Sequence, residues 1–460
     1  MSAYLMSPGA QVRGVIEVPG DKSISHRALM LGAIADGVTD IDGFLASEDC
    51  LATLAALRAL GVRIEQQPGG RLRVHGVGLA GLQPPTAALD LGNAGTAMRL
   101  SMGLLAGQRF SSTLAGDTSL MRRPMQRVAR PLCAMGARID TDGGHPPVRI
   151  HGGATLQGID YALPVASAQV KSALLLAGLY ARGRTVVTEP APTRDHTERM
   201  LQDFGVQVVR AGARISVDGG QRLTGCRVRV PGDFSSAAFF IVAGCLAATQ
   251  GLTIRNVGCN PTRTGLLRML ALMGADIALT PATPGAHTPG APAQDGLAQA
   301  EPVADIHVRA GALRGIRVPE ELVALAIDEF PAFFIAAAAA DGETVVTGAQ
   351  ELRVKETDRL EAMAAGLSTL GVACRLLPDG IVIEGRGAAR PGGPAGPAFG
   401  GGDIDSRGDH RIAMAFAIAS LRAREAIRID DVANVATSFP GFAELAGTAG
   451  LALQVQSDRA

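Results

Sequence analysis

Six times along this chain an apolar run of helical spacing ends on a glycine and the sequence then resumes as a strand. The copies are Leu60-Gly61-Val62-Arg63-Ile64, Met135-Gly136-Ala137-Arg138-Ile139, Phe204-Gly205-Val206-Gln207-Val208, Met273-Gly274-Ala275-Asp276-Ile277, Leu370-Gly371-Val372-Ala373-Cys374 and Ala449-Gly450-Leu451-Ala452-Leu453. A glycine at such a juncture supplies the left-handed residue that ends a helix and turns the chain sharply into the next strand. One copy carries little weight, but six at broadly similar spacing predict a repeated unit of helices and several strands. Asp142-Gly143-Gly144, Asp218-Gly219-Gly220 and Asp379-Gly380, each between alternating apolar runs, predict hairpins within the units.

A longer-range echo groups the units. Val18-Pro19-Gly20-Asp21 returns as Val230-Pro231-Gly232-Asp233, with three of the glycine copies between the two boxes and three after the second. The pattern predicts an α/β protein of two homologous domains, three α/β units in each, with the boxes marking the crossings. A chain of 460 residues is long enough for each half to bury its own core. Pro281 to Glu301 reads as a surface insertion, and Ala388 to Gly402 as a second Gly/Pro-rich loop bordering Asp409-His410-Arg411.

Charge and composition remove several function classes. Lys+Arg and Asp+Glu are both 43, and with no Trp and only 3 Tyr the chain offers neither a field for a polyanion nor platforms for bases, so nucleic acid is excluded as a partner. The cysteines show no Cys-x-x-Cys spacing and are expected to be reduced, mostly buried thiols. Met1 to Gly14 lacks a leader pattern, and Phe330 to Ala340 is too short an apolar run to span a bilayer, so a soluble cytoplasmic protein is expected, with no membrane partner. His196 and His410 are not at metal-ligand spacing with another His, and neither a dinucleotide fingerprint, a P-loop around Lys22 nor a Gly-x-Ser-x-Gly elbow occurs. What remains is a transformation of small anions with no cofactor and no metal.

Any such anion must be held by local cations, and these fall at predicted helix starts. After Asp21, residues Ser25 to Ala35 have helical spacing, with Ser23 or Ser25 as the expected cap and Lys22 and Arg27 flanking the positive end. Leu91-Gly92-Asn93-Ala94-Gly95-Thr96 predicts a strand end, small residues for close approach, a capping Thr96 and a helix through Leu105. Ser167-Ala168-Gln169 precedes a helix Val170 to Tyr180 with Lys171 in its first turn, Thr193 to Thr197 precedes a helix Glu198 to Phe204, and Asp409-His410-Arg411 opens Ile412 to Leu421. A cation at a helix start opposes the dipole by roughly 0.3–1 kcal/mol, so its repetition favours a bound anion over coincidence. Arg123 adds a further cation, and Lys355 and Arg359 are read as one helical turn apart on one face with Glu356 beside them. For each motif a purely structural reading competes, respectively a capped surface helix, a tight turn or a salt-bridged helix face. Asp328, in Ala326-Ile327-Asp328-Glu329-Phe330-Pro331, has an apolar context suited to proton transfer, the alternatives being a helix cap or a partner of a nearby Arg.

Taken together, Gly20 to Arg27, Gly92 to Thr96, Arg353-Val354-Lys355-Glu356-Thr357-Asp358-Arg359, Asp409 to Met414 and Ser438-Phe439-Pro440 resemble the enolpyruvyl transferase family, in the branch that acts on shikimate 3-phosphate. The resemblance runs along nearly the whole chain. It implies two inside-out α/β domains, each of three βαβαββ units, closing on substrate between them, with residues 1–19 plus 235–460 in one and 20–234 in the other. It implies transfer of the enolpyruvyl group of phosphoenolpyruvate to the 5-hydroxyl of shikimate 3-phosphate through a tetrahedral intermediate, by a monomer. Carried over, Lys22, Ser23, Arg27, Ser167, Gln169, Arg194, Asp328 and Lys355 hold shikimate 3-phosphate. Lys22, Gly95, Arg123, Gln169, Lys355, Arg359 and Arg411 hold phosphoenolpyruvate. Asp328 serves as the base for the hydroxyl, Glu356 as the proton donor to carbon, and Lys22 stabilises charge.

The chain departs from the family pattern in places. Thr437 stands where many relatives have Lys, Ala168 where a Ser is common and Glu351 where Asn is common, features that look like the second class of the family, often glyphosate-tolerant. That tolerance is associated with Ala at the position of Gly95, so the local residue implies an enzyme that glyphosate inhibits. Two other readings stay open: the branch that acts on a UDP-amino sugar, whose loop Cys is missing from Gly116-Asp117-Thr118-Ser119-Leu120, and a noncatalytic repeat scaffold.

Overall fold

The computed structural model describes residues 2–282, 301–387 and 396–456; most of each expected loop, 283–300 and 388–395, lies outside the described residues. The chain divides into two compact units: a first of Met1–Pro19, Gly232–Ala286 and Pro302–Ala460, and a second of Gly20–Pro231 with His287–Glu301. The boundary falls after Pro231 and not after 234, because Asp233 caps the helix Phe234–Ala247 of the first unit with a hydrogen bond from Ser236 N. Asp21 does the same for the helix Lys22–Ile34, accepting from Ile24 N, so the repeated box is a capping turn in both units, and neither Ser23 nor Ser25 is the cap.

In the second unit three four-stranded sheets share one plan. Arg227–Arg229, Asp36–Asp42, Arg71–Val77 and Arg63–Gln67 lie in that order, as do Leu89–Asp90, Ser112–Ala115, His145–His151 and Arg138–Asp142, and Asp160–Ala162, Arg184–Thr188, Arg214–Asp218 and Val208–Ala211. In each sheet the first two strands are parallel and the others antiparallel. The first unit repeats the plan in the order Gly14–Glu17, Leu252–Gly258, Val303–Arg309 and Asp276–Pro281. It repeats it again with Gly402–Asp405, Ile427–Asp430, Ala3–Met6 and Leu453–Gln456, the chain's first strand filling the third place. In its remaining sheet the parallel edge shrinks to isolated bridges from Arg314 and Arg317 to Asp341–Val346. Of the expected hairpin turns, Asp142-Gly143-Gly144 and Asp379-Gly380 join paired strands, whereas Asp218-Gly219-Gly220 follows its last strand and the turn falls at Gly212-Ala213.

All six repeat glycines have positive φ, from +81° at Gly371 to +107° at Gly450. Each closes a Schellman motif: Gly205 N donates to Gln202 O and Val206 N to Leu201 O, and the other five repeat both bonds. The repeat is thus a repeated way of ending six helices, Glu48–Ala59, Gln126–Ala134, His196–Asp203, Gly265–Leu272, Arg359–Thr369 and Phe442–Ala449.

Each unit has its own apolar core. Its centre is three inner helices, Lys22–Ile34, Gly95–Ala106 and Ala168–Gly178 in the second unit, and Phe234–Ala247, Phe330–Ala338 and His410–Ala419 in the first. They are buried on nearly every side because other elements surround them, and in the second unit the buried residues include the polar His26, Arg27, Arg99, Lys171 and Ser172. Gly103 lets two of them touch, since a Cβ there would stand 2.1 Å from Ala173 O. Only Cys50 and Cys245 of the six free thiols are buried; Cys133 is exposed on its helix, so the expectation of mostly buried cysteines is corrected.

Gly205 isolates the backbone term, because an added Cβ would meet nothing within 4 Å at φ +86°. Gly205→Ala is expected to lower the unfolding free energy by about 1–2 kcal/mol, read in urea, with activity of the folded protein retained. An unchanged midpoint would contradict the left-handed cap.

Candidate functional site

The bodies of the inner helices are buried apart from Ser101, but the starts of the three in the second unit are not. Lys22 and Ser23, Thr96, and Ala168 and Gln169 are the residues near those starts that escape burial. Lys22 Nζ pairs with the carboxylate of buried Asp49. Arg27 is 4% exposed and donates from Nη1 to Ser23 O at 2.9 Å, from Nε to Thr197 Oγ1 at 2.7 Å and from Nη2 to Ser172 Oγ at 3.0 Å. Burial pushes its guanidinium down to about 10; Glu198 and Asp21 oppose the shift, and Arg194 adds to it. Arg194 therefore stands within electrostatic reach of Arg27.

Gln169 is held at both ends of its amide, accepting from Arg99 Nη1 at 2.6 Å and donating to Thr96 Oγ1 at 2.9 Å. Thr96 is consequently a partner of Gln169 and not the expected cap; the N-cap is Ala94, which makes no side-chain bond. Ser167 does cap its helix, which begins at Ala168 and not at Val170. Arg123 donates to Asn93 Oδ1 at 2.5 Å and to Ser119 Oγ at 3.2 Å. A Cβ on Gly95 would stand 3.1 Å from Arg123 Nη1 and 3.3 Å from Arg99 Nη1, so that glycine keeps open the space above two guanidinium groups.

Lys171 departs from the expectation of a cation awaiting an anion. It is fully buried, with Nζ 2.9 Å from Glu189 and 2.7 Å from Glu198, and Arg210 also reaches both carboxylates. Its unfavourable place in the first turn is offset inside the fold. His196 begins the next helix, two residues before the expected Glu198, and its Nδ1 lies 2.5 Å from Glu301.

In the first unit Asp328, Lys355, Glu356, Arg359 and Arg411 form one cluster. Lys355 and Arg359 do not share a helix: Lys355 is the extended residue after Gln350–Val354, the short helix that holds Glu351, and Arg359 begins Arg359–Thr369. Both nevertheless reach Asp328 Oδ1, at 3.3 and 3.4 Å. Arg411 Nη1 donates to Asp328 O at 2.9 Å. The surroundings of Asp328 are thus cationic, not apolar, which corrects that part of the expectation. Arg359, 1% exposed, donates to Glu356 Oε2 at 2.6 Å and to Asp409 Oδ2 at 2.8 Å. Burial works against its charge, but the carboxylates of Asp409, Glu356 and Asp328 outweigh it and hold the guanidinium above its ordinary range. Asp409 also caps His410–Ala419 by accepting from Arg411 N. Thr437 Oγ1 donates to Asn434 O within its own turn, a neutral hydroxyl where the family pattern has a cation.

Several partners escaped sequence reading. Asp49, Arg99, Thr197 and Ser172 lie far along the chain from the residues they hold, and only the acidic first turn Glu48-Asp49 after a capping Ser47 hinted at one of them. Among the described residues no group of His, Cys, Asp and Glu is arranged to hold a metal, and no helix is long and apolar enough to cross a membrane.

His26, beneath Lys22, makes a testable case. Its Nδ1 lies 2.8 Å from Thr53 Oγ1, and burial first, then Lys22 and Arg27, push its pKa down to about 3. The folded protein resists protonating it while the unfolded chain accepts the proton. Its contribution is therefore whole above the unfolded value of 6.5 and is lost as pH falls toward 3. Relative to His26→Asn, the wild type should lose up to about 1.4 kcal/mol of unfolding free energy per pH unit over that window. Parallel pH profiles for the two proteins would contradict this.

The family model for EPSP synthase (3-phosphoshikimate 1-carboxyvinyltransferase) matches residues 6–445. A 3-phosphoshikimate 1-carboxyvinyltransferase of Methylococcus capsulatus is 59% identical over 453 residues, 98% of this chain and 98% of that protein. One of Alkalilimnicola ehrlichii is 58% identical, over 98% of this chain and 96% of that protein. The solved structure of EPSP synthase from Acinetobacter baumannii has a TM-score of 0.85 and 51% identity, covering 99% of this chain and 100% of that one. The chain is a mixed α/β member of the EPSP synthase (3-phosphoshikimate 1-carboxyvinyltransferase) family.

Proposed function

We propose that this chain transfers the enolpyruvyl group of phosphoenolpyruvate to the 5-hydroxyl of shikimate 3-phosphate and releases phosphate, as a cytoplasmic monomer in which residues of both units, arranged as inside-out α/β domains, serve one reaction. The observation that carries the reading is the joint presence of hydroxyl- and guanidinium-lined helix starts in one unit and the Asp328–Lys355–Glu356–Arg359 cluster in the other. Lys22, Ser23, Arg27, Ser167, Gln169 and Arg194 hold shikimate 3-phosphate, with Asp328 and Lys355 at its reacting side. Gly95, Arg123, Gln169, Arg359 and Arg411, with Lys22, hold phosphoenolpyruvate.

The hydroxyl oxygen bonds to C2 of phosphoenolpyruvate as Asp328 takes its proton, while the methylene carbon gains a proton from Glu356, giving the tetrahedral intermediate. Return of a proton from that methyl group to Glu356 and cleavage of the C2–O bond to the phosphate group then restore the carbon–carbon double bond and leave the new enol ether, while the proton held by Asp328 passes to the released phosphate. Lys355 beside Asp328 stabilises the developing alkoxide, and Lys22 and the arginines stabilise the leaving phosphate. Glu356 accepts a hydrogen bond from Arg359. A substrate anion that takes over Arg359 displaces Glu356 and leaves it beside negative charge, the setting a proton donor needs.

Inorganic phosphate release is expected only when both substrates are present, and no release under that condition overturns the assignment. Asp328→Asn and Glu356→Gln should each lower kcat by about 10²–10⁴-fold with fold intact; a variant at wild-type rate would remove that residue from the proton transfers.

Gly95 governs the room at Arg123. Glyphosate, longer than phosphoenolpyruvate, should compete with it, and Gly95→Ala should raise the inhibition constant more than KM, because the new methyl group crowds Arg123 Nη1 at 3.1 Å. Inhibition constants and KM values for the two proteins decide it; wild-type insensitivity would contradict the steric account.

A further inference from the structure

We propose that Thr197 and Ser172 are positioning residues that clamp one edge of Arg27 with neutral hydroxyls, so that its remaining edge and its charge are kept for an anionic group of the substrate; this rests on the reading of Arg27 as a shikimate 3-phosphate ligand. The geometry is a closed ring of three hydrogen bonds. Arg27 Nε donates to Thr197 Oγ1 at 2.7 Å, Nη2 donates to Ser172 Oγ at 3.0 Å, and Thr197 Oγ1 donates to Ser172 Oγ at 2.7 Å. Both hydroxyl groups are buried. A guanidinium has five N–H groups. The ring takes two and Ser23 O a third, which leaves one on each Nη, the pair that grips a carboxylate or phosphate in parallel.

The contrast with the adjacent residues shows why hydroxyls matter here. Lys171 precedes Ser172 and Glu198 follows Thr197, and this pair, with Glu189, is closed on itself by ion pairs. One position along on the same two helices, the carboxylate is replaced by hydroxyls that orient a cation without neutralising it. Arg359 in the other unit shows the opposite solution, with three carboxylates around one guanidinium. Among the described residues no carboxylate lies at ion-pair distance from Arg27; burial depresses its pKa, and Glu198, Asp21 and Glu301 offset that only in part from further away. An unneutralised, oriented guanidinium is what an incoming anion binds with least reorganisation.

The test is calorimetric binding of shikimate 3-phosphate, with KM, kcat and thermal unfolding measured on the same proteins. Thr197→Val keeps the shape and removes the acceptor; it should weaken binding about ten-fold or more and raise KM for shikimate 3-phosphate, with kcat at saturation retained. Thr197→Ser, which keeps the hydroxyl, should restore affinity, an outcome that a purely steric role for the side chain would not give. Ser172→Ala should shift affinity in the same direction and serves if Thr197→Val does not fold. Wild-type affinity in a folded Thr197→Val or Ser172→Ala protein, while Arg27→Lys binds weakly, overturns the clamp. If Arg27→Lys also binds normally, the assignment of Arg27 to the substrate fails instead.

Discussion

A helix buried on nearly every side has little but its first turns to offer a ligand, and the organisation of this protein depends on that constraint. In each unit three such helices form the core, and their flanks are taken up by one another and by the surrounding elements. Polar chemistry gathers toward the helix starts, Arg27 lying one turn further in, where the backbone N–H groups and the positive end of the dipole favour an anion. Lys22, Ser23, Gly95, Gln169 and Arg411 all sit in such turns.

The two units handle buried charge differently. In the second, Arg27 is held by hydroxyls and a carbonyl, while the neighbouring Lys171 is neutralised outright. In the first, Arg359 is surrounded by carboxylates, two of them belonging to residues assigned to proton transfer. On the proposed reading an anion meets a hydroxyl-held guanidinium in one case and must displace a carboxylate in the other. Breaking the Arg359 cluster by deleting a partner would leave charge uncompensated in a dry site, which costs about 3–5 kcal/mol in such arrangements. The cluster is consequently a support of the fold as well as the proposed seat of proton transfer.

Much of the architecture was legible because it rests on local chemistry. The six glycines could be read as helix ends since a left-handed residue has one cheap solution, and the repeated Val-Pro-Gly-Asp box could be read as a repeated turn. The errors came where a side chain chose a distant partner over a nearby one. Thr96 reads as a cap, but Gln169, 73 positions along, takes its hydroxyl. Lys171 reads as an anion ligand because Glu189 and Glu198 come onto it only through the fold. Asp328 reads as apolar in context because Lys355 and Arg359, which surround it, come from a later segment broken between two helices. Within the candidate site, residue types at helix starts were readable, whereas which of them keep their charge for a ligand was decided by tertiary contacts.

The most direct measurement of the central claim is a crystal structure with shikimate 3-phosphate and glyphosate bound. The account predicts anionic groups of the sugar phosphate within hydrogen-bonding distance of Ser23 and Arg27, its 5-hydroxyl at the Asp328 carboxylate, and the inhibitor against Gly95 and Arg123. Ligands bound away from these helix starts, or an Arg27 that turns from Thr197 and Ser172 to reach them, would contradict it.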